Sequence, residues 1–236
     1  MSYTKRFDGR QFEELRKMEA KVGVVPSAQG SAMFKIGNTV AIAAIRGPRE
    51  VRPRFMQDPT QGLLRCHYNM MPFSGHGDRV RPGGGRRSKE ISMIMEKALR
   101  PVINLSDFPN AMIEVHVELP QTDAGTRCAG ITAAAIALAH AGYEMKDLVA
   151  SVALGKVGNQ IVADVNYDEE AYEGEGGSTD IPLAIVPSTG EVTLLQLDGE
   201  VTQEELKKII ELGTKVAGDI FKVQQQALKE SFKETA

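Results

Sequence analysis

Two mostly apolar runs, residues 31–36 and 39–45, flank Gly37-Asn38. Two such runs joined by Gly-Asn predict a β-hairpin. The whole of 17–45 reads as strand. A further strand is predicted over 63–73, leaving at Pro72, and another over 111–119 through Ile113, Val115, Val117 and Leu119. Two more hairpins follow. One joins 148–156 to 160–165 around Gly158-Asn159, and the other joins 181–186 to 192–197 around Ser188-Thr189-Gly190. Helical spacing occurs in three places. Ile91, Ile94, Met95, Ala98 and Leu99 keep a 3.6-residue period that Pro101 ends. Residues 126–141 are apolar on nearly every side, which predicts a buried central helix. Thr202 and Glu205 form a capping box, and the stripe Leu206, Ile209, Gly213, Val216, Ile220 and Leu228 carries that last helix onward. About eight strands and three helices, with neighbours in sequence pairing, predict one α+β domain over 1–236 with mostly antiparallel sheets.

Composition narrows the class. The chain has 236 residues, 42% apolar and 25% charged, enough to bury a core and too apolar for a disordered chain. No apolar run nears the roughly 18 residues of a membrane span. Residues 1–16 are polar, so no secretory signal is expected. Two cysteines, Cys66 and Cys128, exclude a disulfide scaffold or a Cys-rich zinc site and suit a reduced cytoplasm.

The net charge of −3 hides a segregation. Nine of the fourteen arginines lie within 46–87, among them Arg46, Arg49, Arg65, Arg86 and Arg87, with no lysine and three acids. That window carries +6 and the rest of the chain −9. Arginine without lysine suits bidentate grip on phosphate, although a basic surface paired to a neighbour gives the same count. Residues 164–180 hold seven acids and no Lys or Arg, and Gly174, Gly176 and Gly177 predict a mobile loop. Such a run is either a solvated face, a hard-cation site for Mg2+, or the seat of a general acid.

Two spots combine a helix start with cations. Gly125, Thr126 and Arg127 sit between a strand and the buried helix. There the unpaired N–H groups, a hydroxyl and a guanidinium make an anion cradle. A plain N-cap role for Thr126 is the alternative. Arg127 opposes the helix dipole, which favours the anion reading. Arg86 and Arg87 repeat the pattern at the preceding helix, and an anion between the two ends relieves both. His67, His76, His116 and His140 show no ligand spacing, and His116 and His140 read as structural.

The run Arg6-Phe-Asp-Gly-Arg10, the segment from Arg87-Ser-Lys-Glu90 to Arg100, the loop Ala124-Gly-Thr-Arg127 and the acids Asp164 and Asp180-Ile-Pro stand in the order found in the RNase PH family. The chain resembles that family along nearly its whole length. Gly47-Pro-Arg-Glu-Val51, Arg65-Cys-His-Tyr-Asn-Met70 and Leu194-Leu-Gln-Leu-Asp-Gly199 resemble the catalytic ring subunits of archaeal exosomes. The resemblance implies a ribosomal protein S5 domain 2-like fold. It implies a hexameric ring shared with an inactive homologous subunit, RNA-binding cap subunits, and single-stranded RNA as substrate. Inorganic phosphate, held by Arg87, Gly125, Thr126 and Arg127, is the implied nucleophile. Asp180 is the implied general acid, with Mg2+ or Mn2+ near Asp180 and Asp164. Arg46, Arg49, Arg65 and Arg86 are the implied RNA contacts. The second carboxylate is open among Glu170, Glu173 and Glu175, Pro182 stands where some bacterial relatives have a metal-site lysine, and Cys128 reads as buried and inert. The alternatives are a bacterial-type homohexamer trimming tRNA and a ring subunit that binds RNA without cutting it.

Overall fold

The computed structural model describes residues 3–76, 80–81 and 85–234. Arg79, and most of the Gly/Pro/Arg loop around it, lies outside the described residues.

The elements follow the hydrophobic pattern closely. Strands β1 (Met18–Val22), β2 (Gly30–Ile36) and β3 (Thr39–Glu50) form a meander. β4 (Leu63–Met70) leads to α1 (Arg86–Leu99) and then β5 (Ala111–Gln121). α2 (Thr126–His140) precedes β6 (Ala150–Val157) and β7 (Gln160–Ala163). A short α3 (Tyr167–Glu170), β8 (Ser178–Val186), β9 (Glu191–Leu195) and α4 (Gln203–Glu234) complete the chain. The first sheet has the order β1-β2-β3-β5-β4 and the second β7-β6-β8-β9.

One pair departs from the antiparallel majority, and one expectation is corrected. β4 runs parallel to β5, with His67 opposite His116, because α1 serves as a crossover between them. Within 164–180, residues 167–170 are helical rather than loop. Asn166 accepts from the Glu169 N–H, and the Glu169 side chain accepts from the Asn166 N–H. All other strand pairs are antiparallel.

α2 is the hub. Residues 128–138 are all buried, because the helix packs against β2 and β3 on one side and β6 on the other. A helix covered by sheets on both sides needs small apolar residues nearly throughout, which explains its Ala-rich sequence, and its one buried mid-helix hydroxyl, Thr132, is paired to the Ser151 backbone. Gly130 admits Val117 and Met95 against the helix backbone. One apolar cluster runs from Phe34 and Ile45 through Ile131 and Ile136 to Leu154, Leu183 and Ile220, joining both sheets. Among the described residues, no helix is long and apolar enough to cross a membrane.

Candidate active site

The approach to α2 is unusual backbone. Ala124 and Gly125 both have positive φ, 52° and 63°. Glycine takes this region freely but alanine does not, so the turn is held by its surroundings. The Thr39 hydroxyl holds it, 2.8 Å from the Ala124 carbonyl and 3.0 Å from that of Asp123. As a result α2 begins with Gly125 as N-cap and no side-chain cap. Thr126 is therefore not a cap. Its oxygen accepts from the buried Tyr68 hydroxyl at 2.8 Å, which leaves its own hydrogen for another partner. α1 likewise opens at Gly85 with no side-chain cap.

Both open helix starts contribute to one cavity of about 300 Å³. Arg87 of α1 lines it with Gly125, Thr126 and Arg127 of α2. Asp180 of β8 and Glu170 of α3 line the same cavity. The N–H groups, two guanidiniums and a hydroxyl face two carboxylates across a space large enough for a phosphate and part of a nucleotide. Arg127 is aimed by Gln196, whose side-chain oxygen accepts from its guanidinium.

Asp180 is fixed by backbone pairing on both sides, to Gly155 in β6 and to Asp198. Burial, then Glu170 and Asp198, push its carboxyl up to about 6, against the pull of Arg127 and Arg87. An acid held near neutrality can deliver a proton. Cys128 is buried beside this wall, and burial pushes its thiol up to about 12, so it is unreactive.

The sequence places Asp164 at a metal, and the structure puts it elsewhere. Its backbone turns at φ 54°, and its carboxylate accepts from the Arg16 N–H at 2.8 Å, from the Arg16 guanidinium at 2.7 and 2.8 Å and from Arg10 at 3.2 Å. A buried carboxylate already held by two arginines offers a cation nothing. Glu170 stands in the cavity with Asp180 instead, and of the three carboxylates left open by the sequence it alone lines the wall. Two carboxylates beside a phosphate cradle fit Mg2+, which is usually held by one or two carboxylates plus substrate phosphate. Arg46 and Arg49 line a separate hollow with His116, and Arg65 a third. Arg86 heads α1 beside Arg87 but does not line the cavity. Sequence reasoning missed the rim residues His76 and Tyr167, whose rings lie 5.8 Å apart. It also missed Gln196. No spacing in the chain links them to the cradle.

Comparison with known proteins decides the family. The model of the 3′ exoribonuclease family, domain 1, matches residues 14–144, and that of domain 2 matches 147–216. The chain belongs to the RNase PH family. As a member it is a phosphorolytic 3′-to-5′ exoribonuclease. It is 46% identical to the exosome complex component Rrp41 of Thermococcus gammatolerans over 97% of this chain and 90% of that one. It is 46% identical to the Rrp41 of Methanopyrus kandleri over 96% and 93%. The Rrp41 of Nitrosopumilus maritimus is 40% identical over 97% and 91%. The crystal structure of rice Rrp46 superposes with a TM-score of 0.82 at 22% identity, covering 95% of this chain and all of that one, which shows the RNase PH fold.

Proposed function

We propose that this chain is the catalytic subunit of an archaeal-type exosome ring, completed by a homologous subunit and RNA-binding caps, and that it shortens single-stranded RNA from the 3′ end. The observation that carries the residue assignments is the convergence of Arg87, Thr126, Arg127 and Asp180 on one cavity. Inorganic phosphate sits at the start of α2, against the N–H groups, the Thr126 hydroxyl and the two guanidiniums. Its oxygen attacks the terminal phosphodiester, and the same cations stabilise the charge that builds on the transferring phosphoryl group. Asp180 gives its proton to the departing 3′-oxygen. The products are a nucleoside diphosphate and RNA one nucleotide shorter. Mg2+ or Mn2+, held by Asp180 and Glu170, would supply further charge neutralisation at the phosphates. Run backwards with excess diphosphate, the reaction extends 3′ ends.

Arg46, Arg49, Arg65 and Arg86 lie outside the cavity and suit contacts to RNA backbone on the way in. That separation supports a path shared with neighbouring subunits. Two buried free thiols fit a reducing compartment such as the cytoplasm.

The test is incubation of the chain, alone and reconstituted with a homologous partner, with poly(A) and phosphate. The expected result is ADP, dependent on phosphate and strengthened by the partner. AMP released in phosphate-free buffer would overturn the reaction type, and full activity from a demonstrated monomer would overturn the ring requirement.

A further inference from the structure

From Leu64 to Asn69 on β4 and from Ile113 to Leu119 on β5, side chains alternate between the core and the outer face of the first sheet. Cys66, Tyr68, Val115 and Val117 point into the core. Their neighbours Arg65, His67 and Asn69 on β4, and Glu114, His116 and Glu118 on β5, therefore point outward together. Parallel pairing sets His67 beside His116, and Glu114 is two residues back on the same face. The sequence alone gives these histidines no ligand spacing, since they are 49 positions apart.

We propose that His67, Glu114 and His116 bind a borderline divalent metal ion, Zn2+ in particular, at a site separate from the catalytic cavity. One ligand atom from each lies within 4.8 Å of the others, the one such cluster among the described residues. Tetrahedral Zn2+, with bonds of about 2.0–2.2 Å, sets its ligand atoms about 3.3–3.6 Å apart. The His67 Nε2 is already 3.6 Å from a Glu114 oxygen. The two imidazoles stack with centroids 4.7 Å apart and planes 16° from parallel. An imidazole binds metal in its own ring plane, so the rings must splay about their χ2 bonds to converge. His67 has 47% of its side chain exposed and is free to turn.

Two imidazoles and one carboxylate select Zn2+ over Mg2+, which prefers an all-oxygen octahedron. Glu118, the next outward carboxylate, is not part of the set because Asn69 donates to it at 2.6 Å. The fourth position stays open to water. Glu114 and His116 line a hollow of about 420 Å³ that has room for it. Arg46 and Arg65 flank Glu114 in register, and their charge makes the site weaker than a closed four-ligand one.

The experiment uses the full chain, stripped with chelator and free of RNA and phosphate, with Mg2+ in excess to occupy hard oxygen sites. Zn2+ is titrated by calorimetry and followed through the imidazole NMR signals, of which four histidines give a resolvable set. One ion per chain should bind, with the His67 and His116 signals shifting together. His67→Ala and His116→Ala should each weaken binding at least about 10–100-fold, the loss seen when a group that merely orients a ligand is removed. Glu114→Gln should weaken it less, and His76→Ala, in the catalytic cavity, not at all. His67 is exposed, so its variant folds regardless of what happens at His116. Absence of stoichiometric binding, or unchanged binding by His67→Ala, overturns the proposal. So does a shift confined to His76 and His140. None of these outcomes bears on phosphorolysis, since no step of the reaction is measured.

Discussion

Asp180 carries two opposite demands. Near Glu170 and Asp198, and partly out of water, its charged form is disfavoured, and its carboxyl rises from the ordinary 3.8 to about 6. The folded state therefore holds the proton more tightly than the unfolded state. Stability falls as pH rises from about 4 through about 6 and stays reduced above that. Two pH units correspond to up to about 3 kcal/mol, less whatever water in the cavity screens. Asp180→Asn is thus expected to raise the melting temperature at pH 7 while slowing phosphorolysis about 10²–10⁴-fold, with RNA affinity kept or increased. A variant that is slow and also less stable would show a structural role instead. The wild-type rate should carry an alkaline limb, falling as pH climbs past about 6 and the proton donor is lost, and that limb should vanish in the variant. A pH–rate profile at fixed Mg2+ reads both. Arg87 and Arg127 could be singled out in the sequence because a cation at a helix start is chemically out of place, whereas Asp180 stood out from the other acids only through the family resemblance. The fate of Asp164 could not be read there, because it depends on Arg10 and Arg16, some 150 positions away, reaching the same carboxylate.

Two elements set the cavity, and each has a distinct weak point. At the start of α2, Gly125 takes φ 63° with an open surround, the nearest atom to an added Cβ being Ala153 at 3.4 Å. Gly125→Ala therefore strains only the backbone. The expected result is a loss of about 1–2 kcal/mol and a higher KM for phosphate as the N–H groups tilt, while KM for RNA stays unchanged. Steady-state kinetics in each substrate separates the two. α3 depends on a different device. Arg6 donates to Glu169 through Nε at 2.8 Å and Nη2 at 2.7 Å, both side chains fully buried, and the Tyr3 hydroxyl adds a third bond at 2.6 Å. Glu169→Gln leaves a buried guanidinium short of its counter-charge and should cost about 3–5 kcal/mol, measured by denaturant unfolding. Such pairings explain what the sequence hides at this scale. α1 is legible along its length, from the two arginines that follow the Gly/Pro/Arg loop at its start through the apolar stripe that repeats from Ile91. α3 is illegible because a four-residue helix has too few turns for any period, and its capping box sits in a run that reads as solvated acid.

Across the whole molecule, positive and negative charge occupy different regions. Of the arginines of the 46–87 window, Arg87 lines the cavity while Arg46, Arg49 and Arg65 line two hollows on and beside the first sheet, and the acids of 164–180 include one that is buried against Arg6 and two that face the cradle. The composition made the imbalance visible but not this partition, because a count along the chain does not say which arginines end up near phosphate. If Arg65 contacts an RNA phosphate, Arg65→Ala should shallow the salt dependence of RNA binding by about 0.7 in the log–log slope, the single-strand value per phosphate. Affinity measured from low to moderate salt on the assembled ring checks this, and an unchanged slope would remove Arg65 from the RNA path.

The Arg6–Glu169 bond also links the ends of a long interval in time. Arg6 leaves the ribosome 163 residues before Glu169 is made. At about 5–20 residues per second, the nascent arm waits roughly 8–30 s for its anchor. During that interval the first sheet can form from residues already present, but Tyr3 and Phe12 wait for the later apolar residues, Val157, Val162 and Tyr172, that complete their cluster in the finished protein. The arm around Arg6 is thus made well before the residues that fix it, and a chain cut short before residue 169 exposes it to proteases and chaperones.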